Sequence, residues 1–272
     1  MSDALPEPPE LCISVAARPG RFGLLVHNAG YRALGLNFVY RPCGADDIGA
    51  VIAAVRVLKI RGCSVSMPFK EAVLAHLDEI DPSARRVGAA NTVVNRDGRL
   101  IGHNTDIDGV RAALATFQSK ATGRAVVLGA GGAARAVLVA LEMAGIGERF
   151  VCARSSERSE RTALELGATP LLWARRNEFD ADLLINATPV GMAPDTAASP
   201  VTVAALAHYG GVIDLVATPP QTMLVRAARE AGLPCVDGLT VALHQAARQF
   251  TLYTGRDAPL EAMRSAARQL AP

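Results

Sequence analysis

The chain has 272 residues, half of them hydrophobic and only 4% aromatic, with a formal net charge of +2. Such a length accommodates two domains or one large one. The near-neutral balance, with arginines scattered and no aromatic residues interleaved among them, argues against nucleic acid or a membrane surface as partner.

The chain opens on an acidic, proline-rich run, Met1 to Glu10, the reverse of a signal peptide. Strand-like and helix-like segments then alternate to the end, which predicts an α/β fold. Leu11–Val15 reads as a first strand and Val26–Leu34 as a helix closed by Gly35. Asn37–Tyr40 follows as a strand. A helix starting near Asp46 or Asp47 carries Ile48, Val51, Ile52, Val55 and Leu58 on one face. Gly62 precedes the strand Cys63–Ser66, which runs through Met67-Pro68-Phe69 to Lys70. The spacing of Val73, Leu74, Leu77 and Ile80 predicts a helix after it. Lys70 therefore sits at the carboxyl end of a strand, where open α/β sheets bind ligands; its alternative is a solvated first-turn charge.

Asn91–Asn95 and Leu100–Asn104 flank Arg96-Asp97-Gly98-Arg99, a hairpin signal because both central residues of the tight turn need positive φ. Ile107, Val110, Leu114 and Phe117 mark the next helix. A linker is expected around Lys120–Gly123, with the hinge near Asp106–Gly123. No apolar run reaches membrane-spanning length. The five cysteines (Cys12, Cys43, Cys63, Cys152, Cys235) are odd in number and widely spaced, with no Cys-x-x-Cys or Cys/His cluster. Neither a disulfide framework nor a metal site is indicated, and core packing is their expected role. A soluble, cytoplasmic protein with a small-molecule substrate is expected; a monomer and a homodimer are equally consistent.

Val126–Leu128 runs into Gly129-Ala130-Gly131-Gly132-Ala133-Ala134-Arg135, and Val137, Leu138 and Leu141 continue as a helix. This is the G-x-G-x-x-A dinucleotide fingerprint in its strand–turn–helix setting. Gly129 permits the tight turn, Gly131 lets backbone approach a pyrophosphate, and the helix N-terminus offers free N–H groups. The next strand, Phe150–Ala153, ends in Arg154-Ser155-Ser156, with Arg158 beyond. A site selective for NAD usually carries a carboxylate at that strand end; a guanidinium and a hydroxyl instead suit a 2′-phosphate, which favours NADP over NAD. Asp182–Asn186 and Val212–Val216 are further strands, ending in turn residues at the ligand edge of the same sheet.

With these motifs in order, the chain resembles the shikimate dehydrogenase family over nearly its whole length. The matching segments are Ser64–Glu71, Gly88–Thr92, Asn104–Asp106, Gly129–Arg135, Ala153–Arg158, Asn186–Gly191, Asp237–Leu239 and Gln245-Ala246. The resemblance implies a substrate domain (1–106 and 239–272) and a Rossmann-like NADP domain (107–238), with the active site in the cleft between them. It implies Lys70 and Asp106 as the catalytic pair. Ser66, which stands where the family usually has threonine, would contact substrate together with Asn91 and Gln245. Gly129, Ala130, Gly131, Gly132, Ala133, Arg154, Ser155, Arg158, Thr188, Leu215 and Gly238 would hold the cofactor. A lysine–carboxylate pair suits alcohol oxidation, which releases a proton as the hydride leaves.

The family's Ser-x-Ser-Pro segment, whose hydroxyls grip the substrate carboxylate, is here Arg21-Phe22-Gly23-Leu24, and a helpful tyrosine is Ala217. Arg18-Pro-Gly-Arg21-Phe-Gly23 looks like the shikimate dehydrogenase-like subgroup. Arg21, or Arg18, is the candidate replacement grip, since arginine binds a carboxylate with two parallel hydrogen bonds; solvated loop charges are the alternative. The expected activity is NADP-dependent interconversion of shikimate and 3-dehydroshikimate or a close cyclohexane-carboxylate relative. The alternatives are a quinate or aminoshikimate-type dehydrogenase and, from another class, a non-catalytic nucleotide-binding regulator.

Overall fold

The computed structural model describes residues 7–117 and 123–270, so most of the Lys120–Gly123 linker lies outside the described residues. The first unit runs β1 (Glu10–Ala16), α1 (Phe22–Ala33), β2 (Phe38–Gly44), α2 (Ile48–Val57), β3 (Gly62–Val65), a 3₁₀ turn (Ala72–His76), β4 (Glu79–Ile80), α3 (Pro82–Val87), β5 (Thr92–Arg96) and β6 (Arg99–His103). Its sheet has the order β2-β1-β3-β5-β6-β4, with β2, β1 and β3 parallel and β5 antiparallel to both of its neighbours. Local chemistry sets the ends. The Asp47 carboxylate caps α2, Asp81 with Pro82 starts α3, and Gly88 ends α3 in the left-handed conformation. Asp97 and Gly98 have φ of +52° and +90°, as the expected hairpin turn requires.

The helix expected after Lys70 does not form. Val73 is buried in a single 3₁₀ turn, and the chain is then captured as strand β4 beside β6. The cause is tertiary: the Asp78 amide donates to the Leu100 carbonyl (3.0 Å), while the Asp78 carboxylate accepts from the Leu100 amide (2.7 Å). Sheet pairing therefore uses the apolar positions that local periodicity assigns to a helix face.

From α4 (Asp106–Ala115) the chain enters the second unit: β7 (Arg124–Leu128), α5 (Gly132–Met143), β8 (Glu148–Ala153), α6 (Ser156–Leu166), β9 (Thr169–Leu172), β10 (Leu183–Asn186), β11 (Val212–Asp214), α7 (Met223–Glu230) and β12 (Cys235–Val236). All six strands are parallel, in the order β12-β11-β10-β7-β8-β9. This is the doubly wound order, whose crevice opens between β7 and β10. Sequence reading missed β9 and β12, which are short outer strands, β9 with a proline inside it. All five cysteines lie on strands and are free thiols.

Helices α8 (Gly238–Thr254) and α9 (Leu260–Ala267) return to the first sheet. Leu243, Ala246, Phe250, Tyr253 and Met263 pack there with Cys12, Val26, Tyr31, Tyr40 and Val94. The second unit has its own apolar layers: Ile107, Val110, Val127, Val137 and Leu141 on one side of the sheet, and Val126, Leu128, Leu184 and Leu224 on the other. Two arginines cross between the units: Arg86 makes a bidentate pair with Glu142 (3.0 and 2.7 Å), and Arg135 donates to the Val87 carbonyl (2.5 Å). Among the described residues no helix is long and apolar enough to cross a membrane.

His27 lies wholly within the core between the first sheet and α8, stacked on Tyr40 with centroids 4.4 Å apart, and neither ring nitrogen has a partner. Burial lowers its pKa from the usual 6.5 to about 4. The unfolded chain therefore takes up the imidazole proton first, so this contribution is present above 6.5 and is lost as pH falls through about 4. His27→Phe keeps the stacked ring and removes the titration. Wild type should lose on the order of 3 kcal/mol more unfolding free energy than His27→Phe across that window, measured by denaturant titration. Equal losses would contradict this account.

Candidate active site

β3 delivers Ser66 and Lys70 to the carboxyl edge of the first sheet. The Ser66 amide donates to the Val15 carbonyl (2.9 Å), and the Lys70 carbonyl accepts from the Ala90 amide (2.8 Å), which fixes the backbone on both sides of the lysine. Lys70 Nζ lies 2.6 Å from Asp106 Oδ2, and both side chains keep under a fifth of their surface exposed. Asp106 is the first residue of α4, where the helix dipole favours a carboxylate. Its amide donates to Asn104 Oδ1 (3.2 Å), and the Asn104 side chain is anchored in turn on the Ala89 carbonyl (2.8 Å).

Asn91 holds the other carboxylate oxygen. Its Oδ1 accepts from the Thr105 amide (2.8 Å), the Thr92 hydroxyl (2.7 Å) and the Thr105 hydroxyl (3.2 Å). With the oxygen saturated, Nδ2 is directed onto Asp106 Oδ1 at 2.8 Å. Gln245, on α8, donates to the Thr105 hydroxyl at 3.1 Å. Four residues expected from the sequence, Lys70, Asp106, Asn91 and Gln245, are thus joined in one network, although Gln245 reaches the pair only through Thr105.

A deeper polar layer escaped the sequence reading. Gln249 donates to the Thr92 hydroxyl (2.8 Å) and the Asn91 carbonyl (3.2 Å), which leaves its oxygen to accept from Ser64 (2.9 Å). Half-buried Ser64 accepts from Tyr40 (2.8 Å), with the Tyr253 hydroxyl 3.1 Å away. One available signal was the placement of Gln249 one helical turn beyond Gln245, on the same face of α8.

Tyr40 also explains the altered segment at residues 21–24. A side chain added at Gly23 would lie 2.8–3.0 Å from the Tyr40 ring and hydroxyl, so any larger residue there requires the ring to shift. Arg21 precedes α1 as an exposed residue and, like the exposed Arg18, makes no ion pair among the described residues. Neither is among the residues that line the cavity beside the Lys70 pair.

Beside the pair opens a cavity of ≈ 720 Å³ lined by Ser66, Lys70, Gly129, Ala130, Gly131, Gly132, Ala133, Arg154, Ser155, Arg158, Thr188 and Leu215. Its geometry suits a dinucleotide. Gly129 has φ of +109°, and the space a Gly131 side chain would take is empty. The first amides of α5 are available to an anion, as is usual at a helix N-terminus. A side chain at Gly132 would lie 3.9 Å from Lys70 Cδ, so the glycine turn abuts the lysine. Gly238 is outside the cavity lining. Its missing side chain instead admits the Val216 backbone, 2.3 Å from where a Cβ would stand.

Buried Asp214 ties together the loops that carry Thr188 and Leu215. It accepts from Asn186 Nδ2 (3.0 Å), the Val216 amide (3.0 Å) and the Thr222 hydroxyl (2.6 Å). Burial, opposed by these donors, raises its pKa from 3.8 to about 6.

Residues 23–93 match the family described as the shikimate dehydrogenase substrate binding domain, and residues 238–268 match the shikimate 5'-dehydrogenase C-terminal domain. The shikimate dehydrogenase (NADP(+)) of Symbiobacterium thermophilum is 42% identical over 260 residues, covering 89% of this chain and 87% of that protein. The shikimate dehydrogenase-like protein of Haemophilus influenzae is 36% identical, covering 90% of each. Among solved structures, the shikimate 5-dehydrogenase of Thermus thermophilus in complex with NADP(H) and shikimate superposes with a TM-score of 0.87 at 35% identity, over 96% of this chain and 99% of that one. The 5-ketofructose reductase of a Gluconobacter strain does so with 0.86 at 33% identity, over the same shares.

The raised carboxyl pKa of Asp214 has a defined sign. Between 3.8 and about 6 the folded protein holds a proton that the unfolded chain has released, so the contribution is full below 3.8 and is lost as pH rises through about 6. Asp214→Asn keeps an acceptor oxygen and removes the titration. Relative to the variant, wild type should lose on the order of 3 kcal/mol of unfolding free energy from pH 4 to pH 7. Parallel pH profiles would refute this.

Proposed function

The chain belongs to the shikimate dehydrogenase family, and we propose that it is an NADP-dependent oxidoreductase interconverting shikimate and 3-dehydroshikimate or a closely related cyclohexane-carboxylate. Lobes 1–106 with 239–272 and 107–238 flank its active site, and it acts in the cytoplasm, as a monomer or a homodimer. The observation that carries this reading is the Lys70–Asp106 pair, 2.6 Å apart, set against the glycine turn that would carry the dinucleotide.

Gly129 to Ala133 would receive the pyrophosphate on the backbone of the turn and α5, while Arg154, Ser155 and Arg158 would take the 2′-phosphate by charge-assisted hydrogen bonds. When bound, NADP supplies the carbon that accepts or returns the hydride. The chain's own residues handle the proton. As an alcohol is oxidised, its hydroxyl proton passes to the Lys70–Asp106 pair; in reduction the pair returns it to the nascent alkoxide. Asn91 keeps the Asp106 carboxylate turned towards Lys70, and Ser66, Asn91 and Gln245 supply hydrogen-bonding groups to ring hydroxyls. Arg21 supplies the carboxylate grip in place of the missing serines.

A second reading has a specific support. The Tyr40 phenol crowds the space beside Gly23, where a hydroxyl side chain would otherwise stand in the expected grip, and a ketose reductase shares this architecture at 33% identity. A neutral polyhydroxy ketone, needing no carboxylate grip, is that second substrate class.

Lys70→Ala should lower kcat roughly 10²–10⁴-fold while calorimetry finds NADP affinity within a factor of about three of wild type, on the tenfold-per-1.4 kcal/mol scale. A variant as active as wild type would refute the assigned role. In a panel of shikimate, quinate and 5-ketofructose, Arg21→Ala should raise KM for the acids with kcat preserved. An unchanged KM for a turned-over acid removes Arg21 as the grip, and turnover of the ketose alone selects the second reading.

A further inference from the structure

We infer that Trp173, the one tryptophan of the chain, is the adenine platform of the cofactor site. This rests on the dinucleotide reading above, within which the residue has had no role.

The sheet order gives the direction. The glycine turn follows β7, the Arg154-Ser155 corner follows the adjacent β8, and Trp173 follows β9, the next strand outward. Thr188 and Leu215 lie on the other side of the glycine turn, after β10 and β11, and Lys70 abuts the turn at Gly132. A dinucleotide with its pyrophosphate at Gly131 and its reactive ring towards Lys70 must extend its adenosine half past Arg154 to the end of β9. The half-buried Trp173 side chain lines the same cavity at that end.

The ring is also held in place. The Arg176 guanidinium stands over it, 4.2 Å from the ring centroid. Arg176 is itself fixed, donating to the Pro200 carbonyl (2.7 Å) and the Trp173 carbonyl (2.7 Å), while its own carbonyl accepts from the Tyr209 hydroxyl (2.6 Å). The indole also packs against the apolar layer that includes Val126, Leu128 and Leu184, and the part of it that lines the cavity is what it offers to a flat heteroaromatic partner. A stacking surface that is already ordered loses little freedom when it binds. The ligand chemistry is a purine, recognised by its face, while the arginines and Ser155 recognise the phosphate beside it.

Because the chain has one tryptophan, its emission reports on this site alone. Titration of wild type with 2′,5′-ADP, the adenosine half of the cofactor, should change Trp173 fluorescence, whereas the same concentrations of oxidised nicotinamide mononucleotide, which does not absorb at the emission wavelength, should change it far less. By calorimetry, Trp173→Ala should weaken NADPH binding roughly five- to a hundredfold, the usual range for losing one base–aromatic stack. Trp173→Phe should restore most of it. The alanine variant must melt within a few degrees of wild type; if it does not, the comparison of Trp173→Phe with Trp173→Leu, of similar bulk but without an aromatic face, decides the matter. NADPH binding that is tight in wild type and equally tight in Trp173→Ala or Trp173→Leu overturns the platform while leaving the dinucleotide reading intact. Failure of wild type to bind either NADPH or 2′,5′-ADP overturns both.

Discussion

The site depends on the orientation of one amide. Asn91 sits at the entrance to the β5–β6 hairpin, and three donors from Thr92 and Thr105 converge on its oxygen. A buried amide with its acceptor saturated can offer only its nitrogen. Asp106 therefore receives a donor on one oxygen and the Lys70 ammonium on the other. Rotating the amide would set oxygen against carboxylate and nitrogen against the Thr105 amide, each such loss costing about 1–3 kcal/mol. The hairpin turn, the start of α4 and the return of α8 all bear on this one side chain.

The same logic extends behind it. Gln249 is fixed by its two acceptors, Ser64 by Gln249, and Tyr40 by Ser64, so the donor direction is determined along the whole chain of contacts. Such a network specifies a unique arrangement because a partly satisfied version would be costly in a low-dielectric interior. His27 is the exception in the same core. It gains the stacking surface of Tyr40, and burial holds it neutral. Asp214, in the other unit, is satisfied by three donors yet still carries the cost of burial in its charged form. These two groups respond to acid in opposite directions, so part of the pH dependence of each is masked by the other in the intact protein.

Much of this was legible in the residues. The glycine turn, the Asp97-Gly98 hairpin and the strand leading to Lys70 are written in local chemistry, and the resemblance linked Lys70, Asp106, Asn91 and Gln245 across long stretches of sequence. What sequence could not supply was the result of sheet pairing and side-chain direction. Val73 to Ile80 carry helical spacing, but hydrogen bonds to Leu100 turned the segment into a strand edge. Gly238 has a packing role that its motif did not reveal, since its missing side chain admits the Val216 backbone. Tyr40 and Trp173 lie far in sequence from the motifs they serve, and only the fold brings them there.

The contact between Gly23 and Tyr40 has a consequence for how this chain could change over time. A side chain at residue 23 requires the Tyr40 ring to shift, and removing the phenol would empty a buried pocket and take one donor from Ser64. The effects of substitutions at residues 23 and 40 are therefore coupled, and the order in which the two are changed decides how large a cost the intermediate carries.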